Sequence, residues 1–199
     1  MLVAIRSVVF NVVFYANMVV QQIFWTPFYF LSPRKKSWFV PKFWARSCLW
    51  LMAVLAGAKP DIRGAENLPA GPFILAPKHQ SFWDVLAFFP YLDDPLYILK
   101  KELFWIPVFG WYMAKQRLIP VDRGRKGKAL RDVIARARVE MAESRQLIIY
   151  PEGTRRPPGA EPAYKWGIAE IYSELDLPVV PVAHQAGLFW PRRKFLRHP

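Results

Sequence analysis

Ala76-Pro77-Lys78-His79-Gln80-Ser81-Phe82-Trp83-Asp84 is the stretch around which the chain is organised. The apolar run Phe73-Ile74-Leu75-Ala76 leads into it and another apolar run follows, so it reads as buried strand, turn, and a helix starting near Ser81 and reaching Pro90. His79 and Asp84 stand five residues apart. On one straight helix that spacing would separate them by roughly 140°. They can meet only with His79 in the turn and Asp84 in the first helical turn, pointing back. That geometry suits a base oriented by a carboxylate. Ser81-x-x-Asp84 also fits a helix cap. Capping accounts for Ser81 and Asp84 but says nothing about His79 or Lys78.

At 199 residues the chain holds one core-forming domain with room for an appendage. Nine Trp and 15 Phe are many for a domain of this size, and Trp favours membrane interfaces. A formal charge of +13 implies an anionic partner: phosphate groups, an anionic bilayer, an acidic protein or nucleic acid. The single cysteine, Cys48, excludes an internal disulfide and a metal site built on several cysteines. His79, His184 and His198 share no metal-like spacing, and no phosphate-binding Walker loop, dinucleotide fingerprint or internal repeat is present.

No charge interrupts the chain between Arg6 and Arg34, and Ser7 to Leu31 is broken only by Asn11, Asn17, Gln21 and Gln22. That run is long enough to cross a bilayer and too long for a signal peptide. Pro33-Arg34-Lys35-Lys36 after it marks a cytoplasmic side. Phe43 to Ala58 reads as a second helix on or partly in the membrane, with Trp38, Phe39, Phe43, Trp44 and Trp50 near the headgroups. One span plus an interfacial helix, or two helices dipping into one leaflet, both fit. The turn-rich segment 61–72 then separates an anchor, 1–58, from a catalytic part, 59–199.

Leu96–Leu99 reads as a strand ending at Lys100-Lys101, and Arg117 to Arg123 is rich in strand formers. Residues 126–144 form an amphipathic helix with Leu130, Val133, Ile134, Ala137 and Met141 in one stripe. Lys128, Arg131, Arg136, Arg138 and Arg145 belong to its solvated side. Leu147–Tyr150 is a short strand with Glu152-Gly153-Thr154-Arg155 at its carboxyl end. Gly153 permits a tight turn and a close approach to an anion, and Arg155 offers a bidentate phosphate donor. A helix near 165–174 and a last strand, Leu177–Ala183, complete the pattern. His184 follows that strand; a lone histidine there reads as a hydrogen-bonded structural residue.

Four ordered segments carry a resemblance to the glycerolipid acyltransferases over residues 59–185. They are His79-x-x-x-x-Asp84, the ending Asp122-Arg123, Glu152-Gly153-Thr154-Arg155 and the apolar-Pro-apolar stretch around Pro181. The second departs from the family's form: Pro120 fills an apolar place and no glycine precedes it. Lys101 to Gly110 also looks like the family's sequence between its first two motifs. The resemblance implies an α/β fold: a mixed sheet flanked by helices and preceded by a hydrophobic helical anchor. It implies acyl transfer from a thioester, from coenzyme A or acyl carrier protein, to the sn-2 hydroxyl of a 1-acyl-glycerol-3-phosphate in the membrane. His79 would take the hydroxyl proton, Asp84 would hold its tautomer, and backbone N–H groups near the motifs would serve the oxyanion. Lys101, Arg123, Glu152, Gly153, Thr154 and Arg155 would form the phosphate site, with Glu152 orienting Arg155 or a hydroxyl. No cofactor, metal or nucleic acid is implied. The catalytic part would face the cytoplasm at the inner membrane, and the family's pattern implies further sequence after Pro199. Another lyso-lipid acceptor, such as a lyso-ornithine lipid or a lysophospholipid, or a non-catalytic basic membrane-binding protein, is the alternative.

Overall fold

The structure is a computed structural model describing residues 1–122, 124 and 126–198. The expected Arg123 contact therefore lies outside the described residues. The chain opens with α1 (Leu2–Leu31), α2 (Arg34–Ser37) and α3 (Phe39–Leu51), which a π-helical turn extends over Met52–Ala56. The sheet strands are β1 (Phe73–Pro77), β2 (Pro95–Lys100), β3 (Ile119–Val121), β4 (Gln146–Ile148) and β5 (Val179–Val182). Between them lie α4 (Trp83–Leu86), α5 (Phe109–Lys115), α6 (Lys126–Met141) and α7 (Gly167–Leu175), and α8 (Ala186–Phe189) follows β5.

The strands lie in the order β3-β2-β4-β1-β5, and every described pairing is parallel. The mixed sheet expected from the sequence is thus corrected to a parallel one. Each connection between consecutive strands is more than a dozen residues long and carries helix, the form that a parallel neighbour requires. β1 and β4 are buried throughout, as strands covered on both faces must be. Val133, Ile134, Ala137 and Met141 of α6 cover one face against Ile74, Leu96 and Leu147. The helix expected over 81–90 is shorter: α4 ends at Leu86, and a 3-10 turn, Phe89–Tyr91, takes over at Pro90, which has no N–H to continue it.

α1 runs antiparallel to the α2–α3 segment, and the polar interruptions of its apolar run explain the pairing. Asn17 Nδ2 and Gln21 Nε2 donate to Ser47 Oγ of α3, at 3.0 and 2.8 Å. Arg6 Nε donates to the Leu55 carbonyl at 2.8 Å, closing the frayed end of the second helix where Gly57 turns left-handed (φ +82°). Asn11 faces the tail, donating to Phe195 O. The opposite side of α1 exposes Val12, Val19, Val20, Ile23 and Phe24.

The helical pair is not a separate unit. Phe10, Phe14, Cys48, Leu51 and Met52 share one core with Leu86 and Trp190. Both ends of α1 touch the α/β body. Near its start, Ser7 Oγ accepts from Arg197 N–H at 2.8 Å. Near its end, Tyr29 stacks on Tyr112 of α5 at 3.8 Å and Lys115 donates to the Phe30 and Ser32 carbonyls.

A buried charge network fastens α2 to the sheet. Asp94, just before β2, accepts a bidentate pair from Arg34 at 2.7 and 2.8 Å, and the Trp38 indole N–H at 2.8 Å. Arg145, fully buried, approaches Asp94 at 3.2 Å and donates to Glu140 at 2.7 Å. Two expectations fall here. Trp38 is a buried hydrogen-bond donor and not a headgroup anchor, and Arg145 is not on a solvated face. Burial raises the Asp94 carboxyl, but the Arg34 hydrogen bond, Arg145, Trp38 and the Arg34 charge outweigh it and hold the group below its ordinary value. A depressed carboxyl stabilises the fold above its unfolded pKa. That stability is lost as pH falls below about 4 and through the folded value.

Asp94→Ala takes one carboxylate from the buried Arg145 and the half-buried Arg34, which keep only Glu140 and Glu143 among the described residues. We expect a loss of about 3–5 kcal/mol, or a fall of roughly 6–20 °C in melting temperature. Thermal melts at pH 7 and pH 3 check this: the gap between parent and variant should narrow at the lower pH.

Candidate active site

Parallel strands end at one edge of the sheet, and the motifs follow those ends: His79 after β1, Lys101 after β2, Asp122 after β3, Glu152 after β4 and His184 after β5. Sites of α/β proteins form outside the carboxyl ends of their strands. β1 has β4 on one side and β5 on the other, so His79 is flanked by Glu152 and His184 although they lie far along the chain.

His79 Nδ1 lies 2.9 Å from Asp84 Oδ1, and Asp84 is fully buried. The carboxylate accepts, so Nδ1 carries the proton and Nε2 presents its lone pair when the ring is neutral. The imidazole stacks on the Tyr150 ring at 4.0 Å, and the Tyr150 hydroxyl donates to the Asp84 carbonyl at 3.1 Å. Burial, followed by Tyr97 and Asp84, pushes the Tyr150 phenol well above its ordinary pKa, so it stays a donor.

The two readings of Asp84 are both realised, one on each oxygen. Oδ2 accepts the N–H groups of Gln80 and Ser81 at 2.7 and 2.8 Å, the back-reaching half of a capping box. Ser81 Oγ accepts the Trp83 N–H at 3.1 Å and donates to the Trp190 carbonyl at 2.8 Å.

Glu152, 1% exposed, faces the same turn. Its Oε2 accepts the His79 N–H at 3.3 Å, and Lys78 Nζ is 3.9 Å from Oε1. It makes no ion pair with Arg155 among the described residues. The partners of Glu152 are thus the His79 N–H and Lys78, in place of the expected Arg155. Arg156 N–H donates to His79 O at 2.7 Å, tying the two motifs together. Gly153 is left-handed (φ +63°), as a residue without Cβ allows, and its N–H is taken by Tyr150 O. The N–H groups of His79, Gln80, Ser81 and Gly153 are thus engaged with the protein's own acceptors.

Arg155 is half-buried and Thr154 exposed. Sequence reasoning missed that the tail reaches this place: Arg192 Nη1 donates to the Arg155 carbonyl at 3.2 Å. Burial, then Arg192 and Arg193 as like charges, pulls the Arg155 guanidinium below its ordinary pKa, with Asp84 acting the other way. None of these three arginines pairs with a carboxylate among the described residues. The signal available in the sequence was the density of basic residues after Trp190. Lys101 is spoken for: its Nζ lies 2.6 Å from Asp122 Oδ2. Among the described residues no group of three or more His, Cys, Asp or Glu could hold a metal ion. Two clefts, beside Tyr172 and Val179 and beside Leu118 and Val139, lie away from His79.

Residues 59–185 match the Acyltransferase family. The chain belongs to the acyltransferase family. The acyltransferase named 1-acyl-sn-glycerol-3-phosphate acyltransferase in Pseudomonas aeruginosa is 33% identical over 201 residues, covering 98% of this chain and 77% of that relative. A chloroplastic protein of Brassica napus with the same designation, BAT2, is 30% identical over 151 residues, covering 75% of this chain and 42% of its own. The crystal structure of the 1-acyl-sn-glycerophosphate (LPA) acyltransferase PlsC from Thermotoga maritima superposes with a TM-score of 0.76 at 23% identity, over 98% of this chain and 82% of that one, and so shares the fold.

In this acyltransferase His79→Ala should lower kcat by roughly 10²–10⁴-fold with little change in melting temperature. Asp84→Asn should lose both turnover and stability, because an amide cannot accept at both oxygens' positions. Ser81→Ala removes the cap and the hydrogen bond to the Trp190 carbonyl, and should cost about 1–3 kcal/mol while keeping kcat. Turnover and thermal melts on the three variants check the separation.

Proposed function

We propose that this acyltransferase moves a fatty acyl group from a thioester to the sn-2 hydroxyl of 1-acyl-glycerol-3-phosphate, giving phosphatidic acid. The observation that carries the reading is the His79–Asp84 pair beside an arginine cluster that pairs with no carboxylate among the described residues. The thioester is already activated, so no protein nucleophile is required. His79 Nε2 takes the proton as the hydroxyl oxygen attacks the acyl carbonyl. Asp84 keeps the proton on Nδ1 and stabilises the imidazolium. The thiol leaves with the returned proton. Arg155, with Arg192 and Arg193 beside it, holds the acceptor's phosphate. The names of the relatives support this acceptor.

The acyltransferase works at a membrane surface. α1 is 30 residues long, about 45 Å. By length and composition it could cross a bilayer, and so could Arg34–Ala56. Yet both ends of α1 are bound to the same α/β body, which favours helices lying in one leaflet with the Val12–Phe24 face in lipid. We place the catalytic edge on the cytoplasmic side, where Lys35 and Lys36 face outward beside Leu31. An impermeant maleimide should label Leu2→Cys and Lys35→Cys from that one side; labelling from opposite sides shows a span.

Arg155→Ala should raise the KM for lysophosphatidate by roughly 10- to 150-fold, the cost of a lost charge-assisted contact, and leave the acyl donor's KM nearly unchanged. Arg155→Lys should recover part, since it keeps the charge without the fork. Arg192→Ala should act in the same direction more weakly. Lys101→Ala should have less effect still, being paired with Asp122. Thiol release measured with lysophosphatidate and with a phosphate-free lyso-lipid decides the acceptor. Equal use of both, with Arg155→Ala impairing both equally, overturns the assignment.

A further inference from the structure

His184 is not used by the mechanism above, yet it is nine-tenths buried against the catalytic turn. Its Nδ1 accepts the Ala186 N–H at 3.3 Å, so the proton of the neutral ring sits on Nε2. That Nε2–H donates to the Lys78 carbonyl at 2.7 Å. It also lies 3.7 Å from Asp84 Oδ2, the oxygen that already caps Gln80 and Ser81.

The Lys78 carbonyl and the His79 N–H belong to a single peptide unit. The first is held by His184 and the second by Glu152 Oε2 at 3.3 Å. Strand order explains the convergence. β5 pairs with β1 through Pro77 and Val182, and Lys78 N–H donates to Val182 O at 3.1 Å. The chain after β5 therefore delivers His184 to one side of the peptide, while β4 delivers Glu152 to the other. A peptide plane gripped at both its polar groups cannot rotate, and rotation of this plane would swing the His79 side chain off Asp84.

We propose that His184 is a positioning residue for His79. With Glu152 it clamps the peptide unit 78–79 and so fixes the imidazole that accepts the proton. It touches no reacting atom. The proposal uses the general-base reading of His79 given above, but its core measurement does not.

The test compares His184→Ala, His184→Gln and His184→Asn. Gln carries an amide N–H about as far out as Nε2, whereas the Asn amide stops at the position of Nδ1. His184→Ala and His184→Asn should each lower kcat by about 10–100-fold, the scale of an ångström-sized misplacement, with both KM values within roughly twofold. His184→Gln should regain most of kcat. Imidazole ¹⁵N shifts of His79 in detergent, without substrate, should show Nδ1–H alone in the parent and Gln variant, and mixed tautomers in the Ala and Asn variants. An unchanged kcat and tautomer in folded His184→Ala overturns the proposal. So does a loss that Gln and Asn share equally, or one confined to KM. If parent enzyme ignores lysophosphatidate, the acceptor assignment fails while the tautomer reading still decides this one.

Discussion

β4 enters the sheet between β1 and β2, although the chain has already built β3 by then. That insertion constrains everything chemical in the molecule. It sets the chain after β4 beside the chain after β1, so residues 73 positions apart, His79 and Glu152, share a hydrogen bond. β5 closes on the free side of β1 and brings His184 to the same turn. A turn at a strand end normally leaves its backbone groups to water. Here side chains from three strand ends satisfy them, and the turn becomes rigid without lying inside a helix or strand. Preorganisation of that kind costs no rearrangement when the proton moves.

A second constraint fixes the site relative to lipid. Asp94 sits at the opposite edge of the sheet, and its carboxylate gathers Arg34, Trp38 and Arg145. Breaking such a pair strands buried charge, so the network specifies one docking geometry for α2, whatever its net worth in stability. Through α2 it orients α1 and α3, and with them the lipid-facing side. Arg197 does the same at the other end of α1, stacking on Trp190 at 4.6 Å while Trp190 O receives Ser81. The His79 turn and the apolar face are thus two ends of one mechanical connection.

Much of this was legible in the residues. The strand-turn-helix around His79, the amphipathic period of α6 and the turn at Gly153 are local patterns, and local patterns survive in sequence. Asp84's double duty was visible as two competing readings because each of its oxygens has its own partner. The partners of Glu152 were not legible: the side chain faces a backbone N–H supplied by another strand, and strand order leaves no mark on composition. Arg145, Trp38 and Arg34 were misplaced for a related reason. A charge or an indole looks exposed until the acid that pairs with it is known, and Asp94 is distant from all three. The mixed sheet was corrected by the parallel pairings, which require the connection lengths seen here. Those lengths could be counted in the chain, but only once strand limits were fixed.

The contact between Ser7 and Arg197 spans 190 residues. At the usual 5–20 residues per second, a ribosome needs about 10–40 s to cover that distance. For most of that interval α1 has been synthesised but its tail partner has not. Ser47, the partner of its seam of Asn17 and Gln21, is made about 1.5–6 s after Asn17, while the start of the helix waits. The bilayer is the apolar surface at hand during the wait. The order of synthesis thus favours a helix that meets lipid first and its own protein second, with docking of the tail as a late event in biogenesis.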